Sequence, residues 1–91
     1  MKEIVDFPGY YITEEGFVFG ANHKPIQGIQ RKNGTWTVRL MRDNRRVTMD
    51  VDVLVAKTYI DEHAIVVKHN DGNIGNNHVA NLSLLGMFCI R

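Results

Sequence analysis

His69-Asn70-Asp71-Gly72-Asn73 is the stretch whose residue types and spacing lend themselves best to chemistry. It places an imidazole beside a run of oxygen-bearing side chains. A histidine exchanges protons near neutrality, so His69 is suited to activate a water molecule as a general base. A carboxylate or amide oxygen beside it can hold a hard divalent cation that offsets the charge developing in hydrolysis. The same residues have a purely architectural use, because Asn, Asp and Gly fill turns for backbone reasons. Local chemistry alone leaves both readings open.

The elements that must position this stretch follow from the patterning around it. Ile65-Val66-Val67 is a short apolar strand running into His69. Asn70 to Asn77 reads as a loop, His78 to Asn81 as a short helical turn, and Leu82 to Ile90 as a closing strand or strand-like tail. Upstream, Val51, Leu54, Val55, Thr58 and Tyr59 form the stripe of an amphipathic helix, with Asp50 placed to cap it. Thr35 to Met41 alternates, so Trp36, Val38 and Leu40 share one face. A two-residue turn at Asp43-Asn44 sets Leu40 opposite Val47, Val38 opposite Met49 and Trp36 opposite Val51. The other face then carries Thr37, Arg39 and Met41 against Thr48 and Arg46. A register slip of one residue would destroy that match. Nearer the N-terminus, Phe7-Pro8-Gly9 is a turn signal. Tyr10-Tyr11-Ile12 and Phe17-Val18-Phe19 form a hairpin for which Gly16 supplies the positive φ. Pro25 to Arg31 is a candidate further strand, and Asn33-Gly34 is a strong two-residue hairpin signal.

Composition narrows the function classes. With 91 residues, 44% hydrophobic and 23% charged, one folded domain is expected and disorder is not. No apolar run approaches bilayer length, and Glu3 and Asp6 sit where a secretion signal needs basic and apolar residues, so an intracellular protein without a membrane partner is expected. Cys89, the single cysteine, excludes an internal disulfide and a cysteine-based zinc site. The net charge of +1 conceals a basic block: Lys24, Arg31, Lys32, Arg39, Arg42, Arg45 and Arg46 are seven of the eleven basic residues, opposed within that span only by Asp43. Such a block points to a polyanion, although a solvated pair of hairpins has the same composition.

Residues 69–82, reading HNDGNIGNNHVANL, resemble the finger of HNH nucleases, the small enzymes of mobile introns and phages, whose motif runs H-x-D-G-N, N-N, N-L. The matching positions are His69, Asp71, Gly72, Asn73, Asn76, Asn77, Asn81 and Leu82. Upstream, Phe7-Pro8-Gly9-Tyr10-Tyr11-Ile12, Glu15-Gly16-Phe17-Val18, Asn33-Gly34, Val38-Arg39-Leu40 and Leu54-Val55-Ala56-Lys57-Thr58-Tyr59-Ile60 resemble the module that precedes the finger in these enzymes. The resemblance implies a ββα-metal finger that hydrolyses a phosphodiester, with His69 in the general-base position. It implies Asn81, with Asn76 or Asn77, as the asparagine that braces the loop. It further implies a metal ligand just before the base and a second on a following helix. Lys68 stands at the first of these positions, and the ten residues after Asn81 offer no hard-metal ligand. Asp52 stands where the upstream module usually has a histidine. Asp71 and His78 are the weak substitute candidates for a metal.

These readings converge on an α+β fold. Antiparallel hairpins pack on one amphipathic helix over residues 1–60, and an incomplete finger follows over residues 61–91. The expected protein binds duplex DNA through Arg31, Lys32, Arg39, Arg42, Arg45, Arg46 and Lys68, has lost catalysis, and needs no cofactor. An active nicking enzyme using Mg²⁺ or another divalent ion is the first alternative, and an inhibitor that engages a host protein is the second. The apolar tail Leu82–Ile90 is expected to fold back on the Trp36 face or to pair with a second copy in a homodimer. If the chain is phage-encoded, the cytoplasm of the bacterial host is its place.

Overall fold

The computed structural model describes residues 1–87. Among them are nine short strands and one α-helix, in antiparallel sheets, which is the α+β class expected. The first sheet runs β1 (Lys2–Glu3), β2 (Tyr11–Ile12), β3 (Val18–Phe19) and β4 (Pro25–Ile26) in spatial order. β1 has no signal in the sequence, since a two-residue exposed strand carries no alternation. Thr13 pairs with Phe17 (N···O 2.9 Å), and Gly16 closes the turn at φ +97°.

The second sheet is β5 (Ile29–Gln30), β6 (Trp36–Arg42) and β7 (Arg45–Asp50). The expected strand over residues 25–31 is therefore two strands in two sheets. Gly28 breaks it, where Trp36 Cε3 comes within 3.1 Å of the space a Cβ would take. The turn at Asn33-Gly34 holds three residues rather than two. Arg31 pairs with Thr35 (2.8 Å), and Gly34 takes the left-handed position at φ +95°. The β6–β7 register matches expectation at Leu40↔Val47 and Val38↔Met49, around an Asp43-Asn44 turn with φ of 52° and 63°. It ends sooner than expected: Thr37 faces Asp50, Trp36 pairs with Gln30, and Val51 has already entered the helix.

Helix α1 (Val51–Tyr59) buries Val51, Leu54, Val55 and Ala56 against both sheets. Asp50 occupies the cap position with extended φ/ψ, but its side chain makes no capping bond. The core joins Ile4, Phe7, Ile12 and Val18 of the first sheet, Val38 and Leu40 of the second, the helix stripe, and Leu82. Full burial stabilises each such side chain by roughly 1.5–3 kcal/mol. Polar ends are tied in as well: the Tyr59 hydroxyl donates to the Ile12 carbonyl (2.6 Å), and the Met41 N–H donates to the Tyr10 hydroxyl (3.0 Å). The latter seals the edge of β6 beyond the reach of β5.

The third sheet pairs β8 (Ala64–His69) with β9 (Leu82–Met87), and His69 stands opposite Leu82. The tail does not fold onto the Trp36 face as far as Met87: it is a strand against β8, with Leu82 buried and Leu85 exposed. The remainder of the expected tail, 88–90, lies outside the described residues. Among those residues no helix is long and apolar enough to cross a membrane.

Candidate functional site

Three elements converge on His69: the end of β8 that carries it, the first turn of α1, and the asparagine-rich loop of residues 70–78. The ring is almost fully buried, with 7% of its side chain exposed, and Asp52 beside it is 15% exposed. His69 Nε2 lies 3.1 Å from Asn77 Oδ1 and 3.7 Å from Asp52 Oδ2. Both neighbours accept, so in the neutral ring the proton sits on Nε2 and Nδ1 keeps its lone pair. That is the form a general base requires.

Asn77 is itself buried, and the turn of the first hairpin is pressed against it. A Cβ on Gly16 would stand 3.2 Å from Asn77 Cβ and 3.1 Å from Val51 Cγ1. The Val79 N–H donates to the Glu14 carbonyl (2.8 Å), pinning that turn to the short 3-10 segment Val79–Asn81. An apolar cavity of about 360 Å³ opens next to the site, walled by Phe17, Ile26, Trp36, Val38, Val51 and Asn77 among others.

The asparagines divide the work. Asn77 alone reaches the ring, whereas Asn81 and Asn76 hold the loop through Asp71. The Asp71 N–H donates to Asn81 Oδ1 (3.0 Å), and Asn81 Nδ2 donates to Asp71 Oδ1 (2.9 Å) and to the Asn76 carbonyl (3.0 Å). Asn76 Nδ2 donates to Asp71 Oδ2 (2.9 Å), and the Asn73 N–H to Asp71 Oδ1 (2.8 Å). The Asn76 amide, with the Asn73 N–H and the Asn81 amide, holds the Asp71 carboxyl below its ordinary range. His78, the other substitute considered for a metal, accepts the Ala80 N–H on Nδ1 (3.1 Å) and so caps the 3-10 segment.

Asp52 is the residue that sequence reasoning set aside. Its contact with His69 spans two elements and leaves no local trace beyond an acid between Val51 and Val53 at a helix start. Burial pushes its carboxyl above the ordinary range, against the Val53 N–H bond (2.6 Å) and the neighbouring His69 ring, which favour the anion. A carboxyl raised on folding contributes stability that is present in acid and lost as pH rises through the raised value. Asp52→Asn should therefore match or exceed wild type in melting temperature near neutrality, and lose that advantage as pH falls toward about 4. Thermal melts of the two proteins across pH check this. An Asn variant weakened mainly near neutrality would show instead that the carboxylate is held by pairing.

The resemblance implies a divalent ion beside His69, and the side chains there do not fit one. Lys68 immediately before it is exposed and carries an ammonium that repels a cation; the Asp71 carboxylate and the Nδ1 of His78 are bonded within their own loop; Asp52 is turned to Nε2. Among the described residues, no three His, Cys, Asp or Glu side chains converge.

The cationic residues lie elsewhere. Arg39 faces Thr48 and Met41 faces Arg46 across the β6–β7 ribbon, and all four are exposed. Thr37, expected on the same open face, is buried and donates its hydroxyl to the Ile29 carbonyl (3.1 Å). Arg45 is exposed at the tip opposite Arg42, whose guanidinium lies 5.0 Å from the centre of the Phe7 ring. Arg31 and Lys32 are exposed at the neighbouring turn. Lys68 is on β8, in a different sheet from the ribbon.

No protein-family model matches the chain. It is 37% identical over 86 residues to an uncharacterized HNH endonuclease of Acanthamoeba polyphaga mimivirus, a match taking in 89% of this chain and 21% of the relative. A second such endonuclease of that virus is 30% identical over 83 residues, covering 89% of this chain and 25% of its own length. This chain thus spans a quarter or less of the curated relatives it matches. Among solved structures, the HNH homing endonuclease I-HmuI, from a study of its DNA binding and cleavage, superposes with a TM-score of 0.82 at 28% identity. That match covers 92% of this chain and 51% of I-HmuI. Over nearly all of its own length, then, this chain is similar in sequence and in fold to HNH endonucleases.

Proposed function

We propose that this chain binds duplex DNA through its basic ribbon and keeps the HNH finger as a scaffold that does not cut DNA by itself. The observation that carries the DNA reading is the exposed outer face of β6 and β7. Arg39 and Arg46 stand there with Thr48, Arg45 at the tip, and among the described residues none of these arginines pairs with a carboxylate. A twisted two-stranded ribbon bearing free guanidinium groups suits a polyphosphate surface, and a groove of the duplex accepts its width. The likeness to I-HmuI, which binds and cleaves DNA, supports the same substrate class.

Two observations support binding without cleavage. Lys68 occupies the place just before the base, and the side chains around His69 are committed to one another rather than to a cation. One specific feature favours nicking instead: Nε2 of His69 faces the Asn77 and Asp52 oxygens, an arrangement that suits a neutral ring with Nδ1 left to act as base. A supercoiled plasmid incubated with the protein and Mg²⁺ or Mn²⁺ separates the readings, because retardation reports binding and relaxation reports a nick.

A further inference from the structure

The Asn77 side chain is half satisfied. Only 7% of the residue is exposed, and Oδ1 lies against His69 Nε2, yet among the described residues Nδ2 meets no acceptor. No side-chain nitrogen among those residues is both sealed from solvent and unpaired, so Nδ2 reaches open space. The open space that Asn77 lines is the cavity of about 360 Å³ beside the site. Trp36, the one tryptophan of the chain, has its indole N–H on the same side. Its Nε1 lies 3.7 Å from where a Cβ on Gly75 would stand, on the cavity wall, and it too has no acceptor among the described residues. Phe17 and Phe19 add aromatic walls, Phe17 being 65% exposed, and the exposed Glu15 completes the rim with a carboxylate.

We propose that this cavity takes a single unstacked nucleobase, extruded from the duplex that the ribbon holds. The inference rests on the DNA reading above and adds a second, separate contact to it. The chemistry of the walls selects the occupant. An aliphatic side chain would leave two N–H donors and a carboxylate without partners. A phosphate would answer the donors but meet the negative charge of Glu15. A base is flat and apolar on its faces, and its edge carries both acceptors and N–H groups. Phe17 and Phe19 then supply stacking, which is tolerant of sequence because every base has a π-face. Asn77 Nδ2 and Trp36 Nε1 donate to the edge, and Glu15 accepts from it. The volume lies at the small end of the roughly 300–1,000 Å³ found for ligand pockets, which suits one base. Charge outside the cavity fits as well. Lys24 precedes the lining Pro25, and Arg31 and Lys32 stand in the turn that leads into Trp36, all three exposed, so cations are at hand for the flanking phosphates.

The test uses the intact chain and three duplexes of one sequence at low salt. One is fully paired, one carries an extra unpaired adenine, and one has an abasic residue in place of that adenine. Extrusion costs least for a base that has no partner, so the adenine duplex loads the cavity most readily. Wild type should bind it about fivefold to fiftyfold more tightly than the abasic duplex, the range that stacking on an aromatic side chain supplies. Emission from Trp36, the sole tryptophan, should be quenched in that complex and not in the abasic one. Phe17→Ala, a change at an exposed position, should keep the melting temperature and the affinity for paired and abasic duplexes while losing the preference for adenine. Phe17→Tyr should restore that preference. Equal affinity for the adenine and abasic duplexes, or a preference and quenching that survive Phe17→Ala, would overturn the base pocket while DNA binding stands. If none of the three duplexes is bound at low salt, the DNA reading falls and the base pocket falls with it.

Discussion

Replacing Arg39 and Arg46 together with alanine should weaken binding to duplex DNA by more than about tenfold at low salt, and should lower the slope of log affinity against log salt by about two. Each guanidinium that enters the DNA's ion atmosphere displaces roughly one counterion, whether it meets a phosphate or a base edge. The two residues are exposed and belong to non-adjacent cross-strand pairs, Arg39 with Thr48 and Arg46 with Met41, so their truncation removes charge and not core. Exposed substitutions of this kind change stability by no more than about 0.5 kcal/mol. Fluorescence anisotropy of a labelled duplex across a salt series gives both numbers. A double variant that binds with the wild-type slope would place the DNA surface elsewhere, with Lys68 and the third sheet the next surface to examine.

The second large effect concerns the loop beneath His69. Asn81→Ala removes three side-chain bonds at once: the acceptor for the Asp71 N–H and the donors to Asp71 Oδ1 and the Asn76 carbonyl. Each net contribution is modest, about 1 kcal/mol, but the Asn76 carbonyl and the Asp71 amide lose their partner together. A loss of roughly 2–3 kcal/mol follows. Amide exchange at Asp71, Asn73 and Gly75 should accelerate with it, because the Asp71 carboxylate and the Asx turns around it lose their anchor. Asn77→Ala behaves differently, since it frees the His69 ring while leaving that Asp71 network in place. An Asn81→Ala protein within about 0.5 kcal/mol of wild type would show that backbone bonds, such as Asn70 N–H to the Asn81 carbonyl at 2.7 Å, suffice to hold the loop.

The ribbon was legible in the sequence for a physical reason. Alternating apolar residues on both strands permit one register, and Asp43-Asn44 accepts the two positive φ values that a tight turn demands. The finger was legible through the resemblance of residues 69–82 to the HNH motif, and its loop because Asn, Asp and Gly mark turns by local backbone geometry. Interactions between elements left far less. Thr37 is buried by the strand beside it, although its place in the alternation marks it as exposed. Trp36 was assigned to the wrong partner because the helix begins where the strand was expected to continue. Asp52 reads as an ordinary acid in a first helical turn, and its meeting with His69 depends on how α1 packs against β8. The division of labour between Asn77 and Asn81 was likewise hidden, since both are loop asparagines and only the fold decides which one faces the ring.

The claim at the centre of this account is that the chain holds duplex DNA on its ribbon and does not cut it alone. Supercoiled plasmid, protein and Mg²⁺ or Mn²⁺ in one incubation, with a His69→Ala variant beside the wild type, test it most directly. The predicted result is a retarded plasmid that stays supercoiled with both proteins. Relaxed plasmid with wild type but not with His69→Ala would contradict it, and would make His69 a working base with its metal donors supplied from outside the residues described.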